Sequence, residues 1–353
     1  MKVISDKAVK KYLEKHLDCN TILEKFQPAL LSGLAVYAAN PEKIIPPRVV
    51  QLSNNANSDT THLFMPCISP SEVGIKVISG GPGNNSKGLG FQGCMLILDE
   101  ITGSARAIMN ANTSTAFRTA LASTLGLSKV IKYNESKILP ELTVFGVGPQ
   151  AYWHLKLTLI IYKESITSVN IMNRTLKNAE ILATNLKSEF PSVQFNSYSY
   201  NDDDDLEFVP HIQNSSIIFG CTPSTNAVIK NSYINKDSRY PKFISLIGSY
   251  KPNMIELDLD FIKSEFKDTS IIVDSKEHTL QEAGELIQAD ISESQLIDIV
   301  ELYNLELKDA SKYTSPSNVI LQKIVGLSIM DLSIGKLIAE DITSEDAVIV
   351  DEF

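Results

Sequence analysis

Cysteine is scarce and scattered: Cys19, Cys67, Cys94 and Cys221 are the four in 353 residues. Their spacing matches no metal-binding pattern and gives no disulfide framework, so the expected setting is reducing and cytoplasmic. Long apolar runs are missing too. The longest, PALLSGLAVYAA at 28–39, is interrupted by Ser32 and Gly33. It falls short of the ~20 residues that a membrane span needs. The opening MKVISDKAVKKYLEKHL has no signal-peptide core, and it carries acids and no arginine, unlike a transit peptide. Positive charge is in deficit: 32 Lys and Arg against 42 Asp and Glu give a formal net charge of −10. That balance provides no general field for nucleic acid or an anionic membrane, although a local basic pocket for a small anion is compatible with it.

What is present is ordinary for a globular chain, 43% hydrophobic and 21% charged, and long enough for two domains. Val9, Leu13 and Leu17 recur at helical spacing, and residues 30–38 read as a second helix. Between 62 and 110 the pattern is of strands, HLFMPCI, VGIKVIS, GCMLILDE and ARAIMN, with DEITGSA as a hairpin turn. From Asn112 it becomes helical, with Thr113 or Ser114 as the expected N-cap. A different grammar starts at Leu142. Strand LTVFGV, helix 150–163, strand TSVNIMN, helix 175–188 and strand VQFNSY follow in turn, then SSIIFGCT, KFISLIG and TSIIVD. Alternation of this kind predicts a parallel sheet with helices on its faces. The acidic run at 202–205 reads as a solvated loop. The run NVILQKIVGLSIMDLSIGKLIAE reads as helical, and with no strand after it, it is expected to pack back on the N-terminal part.

The turn between the first strand and helix of that alternation is GVGPQA: Gly146, Gly148, Pro149, Gln150 and Ala151. By itself a G-x-G-x-x-A is a weak signal, equally an ordinary strand-to-helix corner. Its context, a strand before and a helix and second strand after, supports a dinucleotide turn. The first glycine permits the tight turn, the second lets backbone approach a pyrophosphate, and Ala151 permits close helix–strand packing. Pro149 is tolerated at the first helical position but offers no N–H, so a phosphate relies on Gln150 and the helix dipole. The second strand ends in Asn173, Arg174 and Thr175, where an NAD-preferring site would place an acid. An arginine there pairs with a 2′-phosphate, which favours NADPH, with NADH or NAD second.

Three basic residues sit in unexpected surroundings. Lys76 lies inside VGIKVIS, where a lysine costs desolvation unless it has an anionic partner. Arg118 shares a helix face with Leu121, Ala122 and Leu125, so it either snorkels or points into a pocket. Arg48 follows two prolines on a stiff extended segment. Each alone reads as a surface residue or a structural pair; together they resemble a carboxylate clamp.

PPRVVQL, FMPCIS, GIKVIS, TGSARAIMNANTSTAFRTALAS, VFGVGPQA, IGSYKPNMIELD and VDSKEHTLQEAGEL occur in the order seen in the ornithine cyclodeaminase/mu-crystallin family. The resemblance covers roughly residues 40–335, and several independent motifs agree. It implies an α/β fold: a Rossmann-type parallel-sheet domain at 123–316, plus a discontinuous α/β dimerisation and substrate domain at 1–122 and 317–353, in a homodimer. It implies that Arg48, Lys76 and Arg118 hold a substrate carboxylate, that Arg118 and Thr119 border the cofactor, and that 146–151 form the pyrophosphate turn. It places Asn173, Arg174, Thr175 and Asn178 at the adenosine 2′-phosphate, and Thr222 and Pro223 on a loop passing the cofactor.

Two departures bear on chemistry. True cyclodeaminases have an aspartate where this chain has Tyr250, and a glutamate where it has Leu63. Without those carboxylates the acid–base work of deamination lacks its carriers. Mu-crystallin-like members also lack the aspartate but have a small polar residue there, so Tyr250 reshapes the substrate pocket. His62 and His154 read as structural. The expectation is therefore an NADPH-dependent reductase of cyclic ketimine or imino acid C=N bonds. A cyclodeaminase-like lyase using bound NAD, and a non-catalytic NADPH-dependent binder of an aromatic carboxylate, are the alternatives.

Overall fold

The computed structural model describes residues 1–132, 137–200 and 207–351; the acidic run at 202–205 lies outside the described residues. The chain divides into two compact units, Met1–Thr119 with Gly326–Phe353, and Ala120–Val325. Among the described residues no helix is long and apolar enough to cross a membrane.

The first unit is built on a mostly antiparallel sheet. Its strands are β1 (Lys2–Ile4), β2 (Val49–Leu52), β3 (Thr61–Ile68), β4 (Val73–Gly80), β5 (Gln92–Leu98), β6 (Ala105–Asn110) and the C-terminal strand Val348–Ile349. The order is Val348–Ile349, β1, β6, β5, β4, β3, β2, with only the β1–β6 pair parallel. Period-two alternation sends Met65, Cys67, Lys76, Met95, Ile97, Ala107 and Met109 to one buried face. The helices α1 (Asp6–His16) and α2 (Gln27–Ala39) belong to this unit, and the C-terminal helix Ser328–Asp341 packs on α2 and on β3, β4 and β5. The turn at Asp99–Ser104 is a hairpin, as its Asp-Glu-Ile-Thr-Gly sequence predicts.

Helix α3 (Asn112–Val130) carries Arg118 and Thr119 at the end of the first unit and continues into the second. It starts before the expected Thr113 or Ser114 cap, because Asp6 of α1 accepts the Thr113 N–H at 2.9 Å and satisfies a first-turn donor from another element.

The second unit is a doubly wound sheet of β7 (Glu141–Phe145), β8 (Ser168–Asn173), β9 (Gln194–Ser199), β10 (Ser215–Gly220), β11 (Lys242–Leu246), β12 (Ile271–Val273), β13 (Leu296–Asp298) and β14 (Val319–Lys323). The order is β13-β12-β14-β11-β10-β7-β8-β9, and all seven pairings are parallel. Helices α4 (Pro149–Ile161) and α5 (Leu176–Glu189) make the crossovers from β7 to β8 and from β8 to β9. This is the α/β, Rossmann-type architecture expected. Strand order reverses between β7 and β10, the switch point beyond whose carboxyl ends such sheets bind ligands.

One reading is corrected. Residues Val319–Lys323 are not the start of a helix but β14, buried throughout and paired with β11 and β12. A strand covered on both faces is a continuous apolar run and has the same signature as a buried helix segment. Gly326, at φ +89°, breaks the chain before the helix proper.

Candidate active site

In the first unit, strand β4 places Lys76 on the buried face of the sheet and α3 places Arg118 beside it. Both reach one carboxylate of the C-terminal helix: Asp331 Oδ1 accepts from Lys76 Nζ at 2.8 Å and from Arg118 Nε at 2.9 Å. Lys76 and Asp331 are each 1% exposed, Arg118 4%. Asp331 Oδ2 is buried with no hydrogen-bond partner among the described residues. Two buried cations therefore share one anion, and the cluster is one negative charge short. Burial, with a contribution from the neighbouring guanidinium, pulls the Lys76 ammonium down to about 8 despite the opposing pull of Asp331. Gly326 makes room for the guanidinium: a Cβ there would lie 2.7 Å from Arg118 Nη1.

Arg48 is half-buried on the segment that enters edge strand β2. Val49 pairs with Phe64, and Met65 pairs with Lys76. Carrying that register back one residue puts Arg48 in the cross-strand row of Met65 and Lys76. Leu63, by contrast, packs against the apolar cluster of Met65, Ile78 and Ala111, with no acid in its place. His62 is bonded to Ser79 across the β3–β4 ladder at 2.7 Å.

In the second unit, the turn after β7 has the geometry the glycines require. Gly146 takes φ +110°, and a Cβ on it would lie 2.5 Å from the Cys221 carbonyl oxygen that follows β10. Gly148 is the exposed, extended N-cap of α4, and a Cβ there would meet nothing within 4 Å. Pro149 is the first helical residue, and Ala151 is fully buried against the sheet. Gln150 Oε1 is buried without a hydrogen-bond partner among the described residues. The first turn is pinned by His154, whose Nδ1–H donates to Gln150 O at 2.8 Å while Nε2 accepts from Ser123 Oγ at 2.8 Å. Burial drives this histidine down to about 4, so it stays neutral in that role. A positive helix end and a backbone left open by Gly148 suit a pyrophosphate.

At the end of β8, Asn173 Nδ2 donates to Thr175 O at 2.9 Å, and Arg174, Thr175 and Asn178 are exposed around the start of α5. After β10, Thr222 is buried and Pro223 exposed. Glu256 Oε1 accepts the Thr222 N–H at 2.6 Å and its hydroxyl at 2.9 Å. After β11, Tyr250 is 37% exposed, with Lys251 Nζ 5.6 Å from its ring centre. Thr119 Oγ1 is turned back on its own helix, bonded to Thr115 O at 2.8 Å.

Asp331 and Glu256 were not singled out in the sequence. A lone acid in the apolar SIMDLSIG was a usable signal for Asp331, by the same logic that marked Lys76. Glu256, among the acids of IELDLD, had no such contrast.

The family model for the ornithine cyclodeaminase/mu-crystallin family matches residues 13–346. An uncharacterized protein of Saccharomyces cerevisiae is 34% identical, over 95% of this chain and 95% of its own length. The ketimine reductase mu-crystallin of Macropus fuliginosus is 26% identical, over 94% of this chain and 96% of its own. Among solved structures, the Delta(1)-pyrroline-2-carboxylate reductase of Thermococcus litoralis, in complex with NADH and L-proline, superposes with a TM-score of 0.76. It is 23% identical, with 96% of this chain and 97% of that one covered, a likeness of fold.

Proposed function

The chain belongs to the ornithine cyclodeaminase/mu-crystallin family, and on that premise we propose that it is an NADPH-dependent reductase of C=N bonds in small cyclic ketimines and imino acids. The observation that carries the reading is the Lys76–Asp331–Arg118 cluster, buried and one anion short. A substrate carboxylate supplies that charge. Arg118 takes it through its Nη groups, and Arg48 joins from the cross-strand row it shares with Lys76. Lys76 Nζ, held by Asp331 Oδ1, carries the proton for the imine nitrogen. NADPH, when bound, supplies the hydride, so the protein's own task is to orient the C=N bond and protonate it. The second unit holds the dinucleotide at Gly146, Gly148, Gln150 and Ala151, Arg174 pairs with the 2′-phosphate, and Asn173, Thr175 and Asn178 flank it.

The relative named a ketimine reductase supports this reading. So do Leu63 in its apolar cluster and Tyr250 after β11, since neither supplies a carboxylate for deamination. The deciding assay follows NADPH oxidation with cyclic imino acids and ketimines, alongside ammonia release from ornithine with catalytic NAD. Reduction without ammonia is expected; ammonia release would overturn the reading in favour of the lyase. Tyr250 favours a second reading, a binder that takes NADPH and an aromatic carboxylate without turnover. Tyr250→Ser separates the two, because reduction gained when the ring is removed would favour the enzyme over the binder.

The working form we propose is a homodimer. Its interface is the apolar outer face of the seven-stranded sheet, where Phe64, Ile68, Ile75, Val77 and Leu96 are exposed or half-exposed.

A further inference from the structure

A buried polar cluster at the carboxyl ends of β10, β11 and β14 has no part in the chemistry above. Its centre is Glu256, fully buried on the segment that follows β11. Oε1 accepts both donors of Thr222, and Oε2 accepts the Gly248 N–H at 2.6 Å. One side chain thus binds the loop after β10 to the loop after β11. The two backbones touch at that point: a Cβ on Gly248 would lie 2.1 Å from Thr222 O, and one on Gly220 would lie 2.9 Å from Glu256 Oε1. The next residue is held from another side. Lys323 Nζ donates to Ser249 O at 2.7 Å and Ser249 Oγ at 2.6 Å, and lies 3.3 Å from Glu285 Oε1. Ser249 Oγ donates in turn to Glu285 Oε2.

A buried carboxylate is costly where an apolar side chain would fill the space. Here all three bonds to Glu256 come from the two loops, two of them from backbone amides. We propose that Glu256 is a positioning residue for the dinucleotide site: its carboxylate ties Thr222 to Gly248 and so fixes the cofactor-side loops of β10 and β11 against each other. The inference rests on the NADPH reading of that end of the sheet.

The charge state matters because two of the three groups facing the carboxylate are backbone N–H donors. A protonated Glu256 can still donate to the Thr222 hydroxyl, but its uncharged oxygens accept the Thr222 and Gly248 N–H groups more weakly, and the tie between the loops slackens. Burial pushes its carboxyl up to about 7; Lys323 of β14 opposes this, Glu285 adds to it, and Cys221 and Tyr200 are its other titratable neighbours. The loops are therefore tied above about pH 7 and loosened below it.

The test uses the full chain and Glu256→Gln. NADPH affinity is measured by fluorescence across about one pH unit either side of the Glu256 midpoint, and amide exchange at Thr222 and Gly248 is followed in the ligand-free protein. The wild type should bind more weakly as pH falls through about 7. The variant should bind at least about tenfold more weakly on the alkaline side, lose the pH dependence and exchange both amides faster; tenfold is near the lower end for one charged hydrogen bond. Wild-type affinity and pH profile in the variant would overturn the inference, even with a lowered melting temperature. If Glu256→Gln does not fold, Thr222→Val removes one donor and keeps the N–H. Its pH midpoint should move up, and an unmoved midpoint would count equally against the tether. A wild type that binds neither NADPH nor NADH overturns the cofactor reading itself, which is a different result from an unaffected variant.

Discussion

Lys76, Arg118 and Asp331 form a triad with opposed demands. As cations Lys76 and Arg118 need Asp331, and as a carboxylate site they need to be under-neutralised. Removing the anion exposes the first demand. Asp331→Asn leaves two buried cations without a counter-charge, so it should destabilise the protein by about 3–5 kcal/mol in urea unfolding. A loss below 1 kcal/mol would show that the triad is solvated, against its burial. The lysine sets a pH limit. Its pKa falls from the ordinary 10.5 to about 8, so between those values the folded protein binds fewer protons than the unfolded one and stability rises with pH. Function runs the other way, because the cation is lost over the same window. We therefore expect kcat/KM for imine reduction to fall above about pH 8 while thermal stability does not. A flat profile to pH 10 would remove Lys76 as the proton carrier. Lys76 and Arg118 were legible in the sequence because each contradicts its apolar neighbours. Their shared partner lies 255 and 213 residues away, and no local pattern joins positions that far apart.

The βα alternation was legible from its periodicity, and so was the glycine turn, because conformational demands there are local. Gly146 is the sharpest case. Its φ of +110° and the Cys221 carbonyl 2.5 Å from a would-be Cβ forbid any side chain. Gly146→Ala should cost at least about 1–3 kcal/mol from the backbone conformation alone. It should also weaken NADPH binding, since the turn must shift to relieve the contact; calorimetry on a folded variant reads both. Unchanged binding would mean that the β7–α4 turn is only a corner. Strand β14 was not legible for the complementary reason. VILQK opens with three apolar residues and is buried throughout, and only its neighbours β11 and β12, distant in sequence, make it a strand. The clamp on the loops after β10 and β11 shares that character: Glu256, Gly220 and Gly248 carry no local signal, and their closeness depends on how the strands are ordered.

A chain whose formal charge is −10 still keeps one face of its antiparallel sheet free of acids along the middle strands. On β3, β4 and β5 the outward row is Phe64, Pro66 and Ile68, then Val73, Ile75 and Val77, then Leu96 and Leu98, in register across the strands. Phe64 is 41% and Ile68 55% exposed, while the opposite face of the same strands is packed by the C-terminal helix. A contiguous apolar patch of this kind on a lone chain is an association site, and self-association is the natural partner when the patch is the chain's own sheet face. The dimer implied by the family resemblance would use it. Light scattering should therefore give twice the 38.9 kDa chain mass at micromolar protein. Ile75→Asp puts a charge in the middle of the row, opposite Pro66 and Leu96, without touching the buried Lys76 face. It should yield a monomer with unchanged far-ultraviolet dichroism. A wild-type monomer would refute the interface outright. A dimer that survives Ile75→Asp would move it to another surface, such as edge strand β2 with its exposed Val49, Val50 and Leu52. The two outcomes are separable because the substitution lies on the third strand from the β2 edge, where it disturbs the face and leaves the edge itself intact.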